Sequence, residues 1–372
     1  MDSINILFII YDLDLGGPEL RLLDFQKHFP TDLKMHLCVT SRNIALFPEF
    51  LKSEAKIIIV PVKRGYLEFN KAWKIYNFIK THDISIVNSF ALKELFLSIA
   101  IKAFSCWKIK VVYHSVENFD YFGIIKKFAF RALLKSTNRV VCNSKKLELH
   151  LKKLPVHEKK ITRIPNGIST KFFENSGYKQ KNLFHNNSSR NPIIIGTIAN
   201  FRKEKNYLFL IKAFIILYRK YSNLRLLCVG GGYLLQEMKN LAKSLNLEKQ
   251  IIFTGYSKDI VKYLSSMDFF VLCSEREGFP NVLLQAMSME IPVLSANVGG
   301  CPEIIDHMKN GLLYPSNNLK KFITSLETLI ENRDFASKLA ANGRKTIEKK
   351  FSLERMTADY FDFYKELSRC EK

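Results

Sequence analysis

Short apolar runs rich in β-branched residues alternate with longer segments of helical periodicity along the whole chain. In the first half Asn5–Ile10, Ile57–Val60, Ile84–Asn88, Lys110–Tyr113 and Arg139–Cys142 read as strands. A second series follows at Ile193–Ile198, Arg225–Val229, Ile251–Thr254, Phe269–Leu272 and Pro292–Ser295. Strand–helix alternation of this kind builds parallel sheets with helices on both faces. The pattern therefore predicts an α/β protein with two Rossmann-like domains, residues 1–173 and 193–350. Between them, residues 174–192 contain Asn-Ser-Gly and His-Asn-Asn-Ser-Ser with little periodic apolar signal, as a linker does. Phe351, Tyr360, Phe361 and Tyr364 recur at near-helical spacing in residues 351–372, which read as a closing helix. Open parallel sheets bind ligands at the carboxyl ends of their strands. Two such domains are expected to face a central cleft, with the last helix closing back toward the first domain.

The length of 372 residues suits two domains, and an apolar fraction of 47% lets both bury real cores. The net charge of +22 is unevenly shared: residues 1–190 carry 31 Lys and Arg against 16 Asp and Glu, the remainder 26 against 19. The first half is thus the basic half, and such an excess favours an anionic partner: nucleic acid, an anionic membrane or a polyphosphate substrate. Seven scattered cysteines without a Cys-x-x-Cys pair point to reduced cytosolic thiols and against a zinc site. The apolar start Ile4–Ile10 runs into Asp12 and Asp14 without a basic n-region, which reads as a buried strand and not as a signal peptide. Lys93, Glu94 and Lys102 interrupt the apolar stretch Phe90–Trp107, favouring a buried helix over a membrane span. A cytoplasmic protein is expected.

The richest stretch is Ser274-Glu275-Arg276-Glu277-Gly278-Phe279-Pro280-Asn281, followed by an apolar helix through Met289. Pro280 suits a first helical position, Gly278 lets backbone approach a ligand, and the helix N-terminus then presents free N–H groups to an anion. A bare strand–turn–helix explains the Gly and Pro. It does not explain Glu277 directed at the cleft and, eight residues on, the polar Gln285 within an otherwise apolar helix.

This segment, with Val298-Gly299-Gly300-Cys301-Pro302-Glu303-Ile304-Ile305 and Asn310-Gly311-Leu312-Leu313 after it, resembles the Glu-x7-Glu region of glycosyltransferase family 4. Ile164-Pro165-Asn166-Gly167-Ile168, Phe253-Thr254-Gly255 and Gly16-Gly17-Pro18-Glu19 fall in the order and spacing of that family. The resemblance spans almost the whole chain and implies the GT-B fold, a nucleotide-sugar donor with UDP favoured, and retention of anomeric configuration. It implies that Glu277 lies at the transferred sugar and that Gln285, where the family has Glu, binds the ribose hydroxyls. An amide bonds hydroxyls without carrying charge. Gly278, Phe279, Pro280 and Asn281 complete the implied donor site. The family's Arg/Lys pair, which neutralises the donor diphosphate, maps its Lys onto Lys205; the Arg position holds Asn200, so Arg202 is the expected substitute. His114 matches the family histidine that contacts the donor sugar at the cleft edge of the first domain.

Gly16 and Gly17, between the first strand and a helix beginning near Leu20, let N–H groups face phosphate. Neither they nor Gly230-Gly231-Gly232 form the dinucleotide fingerprint Gly-x-Gly-x-x-Gly. Asp12-Leu13-Asp14 has a metal-binding form, but its place after the first strand gives it no such role, and no catalytic metal or other cofactor is expected. Lys127, Arg131 and Lys135 recur at four-residue spacing, while Ile125, Phe128 and Ala132 continue the other side. That is the pattern of a helix lying on an anionic bilayer or of an ordinary surface helix with its apolar side inward. The expected function is sugar transfer to a lipid-linked or membrane-presented glycan in cell-envelope polysaccharide synthesis, at the inner face of the membrane. Rivals are a nucleotide-sugar epimerase on the same fold and, on charge alone, a nucleic-acid-binding protein; for the latter no zinc finger, RNA-binding strand motif or basic tail is present.

Overall fold

The computed structural model describes residues 3–13, 17–28, 30–42, 47–50, 55–61, 69–106, 108–115, 123–169 and 192–369. It divides into two compact units, Met1–Pro165 with Glu354–Lys372, and Asn166–Leu353. The segment read as a linker lies outside the described residues, apart from Pro192.

The first unit runs β1 (Ile4–Ile10), α1 (Gly17–His28), β2 (Leu33–Val39), α2 (Phe47–Phe50), β3 (Ile57–Ile59), α3 (Phe69–Thr81), β4 (Ile86–Ser89), α4 (Leu92–Phe104), β5 (Lys110–Ser115), α5 (Ile124–Lys135), β6 (Arg139–Cys142), α6 (Lys145–Leu151) and β7 (Ile161–Arg163). All seven strands are parallel, in the order β3-β2-β1-β4-β5-β6-β7. The second unit runs β8 (Ile193–Ile198), α7 (Tyr207–Lys220), β9 (Leu224–Val229), α8 (Leu235–Ser244), β10 (Ile251–Gly255), α9 (Ile260–Leu264), β11 (Phe269–Leu272), α10 (Asn281–Ser288), β12 (Val293–Ala296), α11 (Cys301–Ile304), β13 (Leu312–Tyr314), α12 (Leu319–Glu331) and α13 (Arg333–Lys350). Its parallel order is β10-β9-β8-β11-β12-β13. The last helix, α14 (Leu353–Arg369), returns to the first unit.

The ten strands read from the sequence form within two residues of their expected ends, and β2, β7 and β13 are additional. β2 carries Lys34 and His36 inside its apolar run; the two others are three-residue edge strands. The helix after β1 begins at Gly17, three residues before the expected start.

Strand alternation sends successive side chains to opposite faces. In the first unit Leu7, Ile9 and Val87 meet Ala72, Ile75 and Ile79 of α3 and Leu97 and Ile101 of α4. Val111, Tyr113 and Val140 meet Leu95 of α4 and Phe130 and Leu134 of α5. Helix α4 thus sits between α3 and α5 on one face, as right-handed crossovers require. The other face holds Phe8 and His114, and α14 covers it: Tyr360 packs edge-on against Phe25 at 4.6 Å and Tyr364 against Phe8 at 6.5 Å. Lys110 Nζ donates to the carbonyls of Leu367 and Ser368 at 2.8 and 3.1 Å, fastening the end of α14 to β5.

Of the two alternatives for the apolar side of helix α5, the inward one does not hold for Phe128 and Ala132. Phe130 and Leu134 are the buried positions, whereas Phe128 and Ala132 are exposed, Phe128 to 77%.

Candidate active site

All strands of the six-stranded sheet point the same way, so the loops after β8, β9, β11, β12 and β13 emerge on one edge. The loop after β8, Ala199–Asn206, is laid onto the turn after β9: Ala199 N donates to Val229 O at 3.0 Å and Phe201 N to Gly231 O at 2.7 Å. Gly230 has φ +146°, and a Cβ there would lie 2.1 Å from the Ala199 carbonyl oxygen. The glycine-rich turn is therefore demanded by close backbone approach. Asn206, left-handed at φ 56°, ends this loop, and its amide donates to Asn317 Oδ1 at 2.6 Å in the turn after β13. Asn317 Nδ2 donates in turn to Glu275 Oε1 at 3.3 Å, and Glu275 N to Glu204 O at 2.8 Å. Three loops from three strands are thereby tied around one point.

Glu277 stands at that point. Its Oε1 accepts from Lys205 Nζ and from Ser274 Oγ, each at 2.6 Å, and its side chain is 10% exposed. Oε2 has no protein partner among the described residues. The backbone under Glu277 is fixed from behind: Gly300 N donates to the Gly278 carbonyl at 2.9 Å, and Gly299, at φ 56°, has no room for a Cβ, which would fall 1.8 Å from the Glu277 carbonyl oxygen. Lys205 and Glu277, 72 residues apart in sequence, are therefore one ion pair.

Pro280 is extended at φ −76°, ψ 106° and caps α10, so the first helical residue is Asn281 and not Pro280. The aromatic ring of Phe279 is buried, 5.6 Å from that of Phe351, which leaves only its backbone to face a ligand. Asn281 is held by Asn166, whose Nδ2 donates to its Oδ1 at 2.7 Å. This is the structural task of the Pro165-Asn166-Gly167 motif: it buttresses the start of the helix whose free N–H groups can receive an anion. Gln285 is one turn further along the same helical face as Asn281, half-buried, with its amide unpaired among the described residues. Arg202 and Asn200 are both exposed, and Arg202 has no side-chain partner among the described residues.

Of the remaining expected residues, Gly16 lies outside the described residues and Gly17 opens α1. His114, expected just after its strand, is the fifth of the six residues of β5, near its carboxyl end, and is 2% exposed. Its Nε2 is 2.8 Å from Asn88 Oδ1, its ring stacks on Phe90 at 4.7 Å, and Nδ1 lies 3.5 Å from the Tyr360 hydroxyl. Tyr364 donates to the same Asn88 oxygen at 2.9 Å. His114 thus joins β4, β5 and α14 within the first unit. Among the described residues no group of three or more His, Cys, Asp or Glu is placed to hold a metal ion. The buried thiols of Cys38, Cys228, Cys273 and Cys301 are all pushed up by burial and are unsuited to nucleophilic work.

Sequence reading missed Ser274, Asn206 and Asn317 as parts of the site. A signal existed for Asn206 and Asn317 alone, as asparagine is the side chain most at ease in the left-handed region that both adopt.

Two family models match, Glycosyltransferase Family 4 over residues 15–172 and Glycosyl transferases group 1 over residues 179–346. The chain belongs to glycosyltransferase family 4. It is accordingly an enzyme. The capsular polysaccharide biosynthesis glycosyltransferase CapM of Staphylococcus aureus is 25% identical over 343 residues, 89% of this chain and 86% of that one. The Escherichia coli UDP-Gal:alpha-D-GlcNAc-diphosphoundecaprenol alpha-1,3-galactosyltransferase is 24% identical over 335 residues, 85% of either chain. Among solved structures, Anabaena HepE in complex with UDP-glucose superposes with a TM-score of 0.85 over 98% of this chain and all of that one, at 18% identity. That likeness establishes the GT-B fold for this family 4 chain.

Proposed function

We propose that this family 4 enzyme transfers a hexose from a UDP-sugar, with retention of configuration, to a lipid-linked glycan acceptor during cell-envelope polysaccharide assembly. The observation that carries the reading is Glu277, fixed through one oxygen by Lys205 and Ser274 at the N-terminus of α10 and offering its other oxygen outward. In this reading Oε2 accepts from a sugar hydroxyl, and the N–H groups of α10 with Lys205 and Arg202 take the diphosphate. Positive groups aimed where charge grows on the leaving phosphate are the largest service such a site gives. Arg202, exposed and without a side-chain partner among the described residues, has the freedom to follow the phosphate; Asn200 supplies no charge. Gln285 faces the ribose hydroxyls with a neutral amide. This reading needs no resident metal, because side-chain cations and helix N–H groups neutralise the diphosphate.

The acceptor class follows the company the chain keeps: the Escherichia coli relative is named for a diphosphoundecaprenol substrate, the Staphylococcus aureus relative for capsule synthesis. The same reading places the protein at the inner face of the cell membrane, held by the basic first half of the chain. Among the described residues no helix is long and apolar enough to cross a bilayer.

The test is a panel of UDP-, GDP- and dTDP-sugars followed by thermal unfolding, with the anomeric configuration of the product read by NMR. A ligand present at about 100 times its dissociation constant stabilises by about 2.7 kcal/mol. Stabilisation by UDP-sugars and an axial-to-axial outcome are expected. An inverted product would sink the retaining assignment, and stabilisation by GDP alone would sink the UDP assignment.

A further inference from the structure

Helices α3, α4 and α5 lie side by side on one face of the first unit, and their outward sides have a composition that a water-facing surface does not call for. Among the described residues each shows one large aromatic ring to solvent: Trp73 at 49%, Phe96 at 49% and Phe128 at 77%. Each ring stands in the first half of its helix. Because the strands are parallel, the three helices start at the carboxyl edge of the sheet, and the rings therefore gather toward that edge. On the central helix Phe96, Ile99, Ala100 and Ala103 form an uncharged outward stripe at helical spacing, Phe96 and Ala103 exposed and Ile99 and Ala100 half-buried, with the half-buried Lys93 at its start.

Charge frames this apolar stripe on both sides. Lys71, Lys74 and Lys80 stand on α3, and Lys126, Lys127, Arg131 and Lys135 on α5. Neither helix contains an acidic residue, and the one acid of α4, Glu94, is buried, its Oε1 accepting from the Thr40 hydroxyl at 3.3 Å. An acid-free basic rim suits an anionic partner. An apolar stripe with a Trp and two Phe between the lysines suits one with a hydrocarbon layer behind its charges, where such rings partition at the water boundary.

We infer that the outward face of α3, α4 and α5 is a docking surface for an anionic phospholipid bilayer, with Trp73, Phe96 and Phe128 seated at headgroup depth and the basic residues on either side meeting lipid phosphate. Nucleic acid satisfies the charge and leaves the apolar stripe without a role; a second copy of this chain would bring the same positive rim against itself. Docking by this face, with the rings gathered near the carboxyl edge of the first unit, brings that edge beside the membrane, where a lipid-linked acceptor is presented. That orientation rests on the acceptor reading above, whereas the docking does not.

The experiment is co-sedimentation of the full chain with phosphatidylcholine vesicles, with and without phosphatidylglycerol, across a salt series. Binding to the phosphatidylglycerol vesicles is expected, with a part that salt does not release and a blue shift of tryptophan emission that Trp73→Phe abolishes. The set Lys74→Gln, Lys126→Gln, Arg131→Gln, Lys135→Gln should weaken binding by about tenfold or more. The set Trp73→Ser, Phe96→Ser, Phe128→Ser should remove the salt-resistant part. Both sets should keep the unfolding temperature and the stabilisation by UDP. Wild-type binding by the aromatic set, tighter binding to RNA than to vesicles, or a dimer that the aromatic set dissociates would each overturn the inference. Transfer to a water-soluble acceptor should be indifferent to both sets; absence of any transfer by the wild type would defeat the function reading and leave the vesicle result standing.

Discussion

At Glu277 the division of labour between two carboxylate oxygens sets what a substitution does. Lys205 and Ser274 both donate to Oε1, and in the proposed function Oε2 is left to substrate. Glu277→Gln keeps the volume and removes the charge, so the fold should stand, while kcat falls by about 100-fold or more, the scale of losing one charge-stabilising group in a site. Turnover within about threefold of wild type would remove Glu277 from the reaction. Gln285 makes the opposite experiment available. Its amide is half-buried on the same helical face as Asn281, without a partner among the described residues. Gln285→Glu should tighten UDP binding by about 1 kcal/mol through a charge-assisted bond to ribose, measured by titration calorimetry. Weakened binding would mean that this amide is fitted to another group.

At the scale of elements, the loop after β8 carries the cations proposed to serve the diphosphate. Lys205 is anchored on Glu277, Arg202 is exposed two residues beyond Asn200, and the loop backbone is pinned to Gly231. Arg202→Ala and Lys205→Ala should each slow transfer, with Asn200→Ala close to wild type in a steady-state assay. A sensitive Asn200 beside a tolerant Arg202 would overturn the substitution of one cation by the other. Strand β2 makes a second case. Its buried His36 sits 3.3 Å from Asn5 Oδ1, is stacked on His82 at 5.5 Å, and has no partner for Nδ1 among the described residues. Burial first, then His82, Lys56 and Lys34, push its pKa down to about 4. The folded state therefore favours the neutral ring, and the stability it contributes is full above about 6.5 and is lost as pH falls toward 4. His36→Phe should unfold at lower pH than wild type in an acid titration followed by circular dichroism.

Strand β2 also shows where the sequence was hard to read. Ten strands announce themselves as apolar runs, but the exposed Lys34 and the buried His36 hide β2, and the burial of His36 follows from partners elsewhere in the chain, Asn5 and His82, that no local window contains. The site divides in the same way. Glu277, Gly278 and the start of α10 are contiguous, so turn chemistry exposes them. The Asn206–Asn317–Glu275 clamp joins loops after β8, β13 and β11, and only the folded sheet brings these together. The sequence left the side of α5 that carries Phe128 either inward or outward because the helical period has two plausible phases there, and packing of Phe130 and Leu134 on the sheet selects the phase that exposes Phe128.

For the whole molecule, the chain order and the packing order differ, and this has a consequence for stability. Residues after 353 belong to the unit that began at residue 1, although the entire second unit is threaded between them. Helix α14 buries Met356, Tyr360, Phe363, Tyr364 and Leu367, and its tyrosine hydroxyls reach Asn88 and His114 of the central strands. Each fully buried ring of this kind is worth about 1.5–3 kcal/mol. The stability of a whole domain is about 5–15 kcal/mol, the same scale as this one helix supplies. Ending the chain at Leu353 strips that cover from Phe8, Phe25 and His114 and removes the Tyr360 and Tyr364 hydroxyls from His114 and Asn88. The second unit keeps every strand and the Lys205–Glu277 pair. The truncated protein should therefore melt in two steps, a first unit greatly destabilised and a second near its original temperature and still stabilised by UDP. Hydrogen exchange should show protection lost in β1, β4 and β5 but retained in β8, β9 and β11. If both units lose protection together, the two fold as one cooperative body and the independence inferred from their separate cores is wrong.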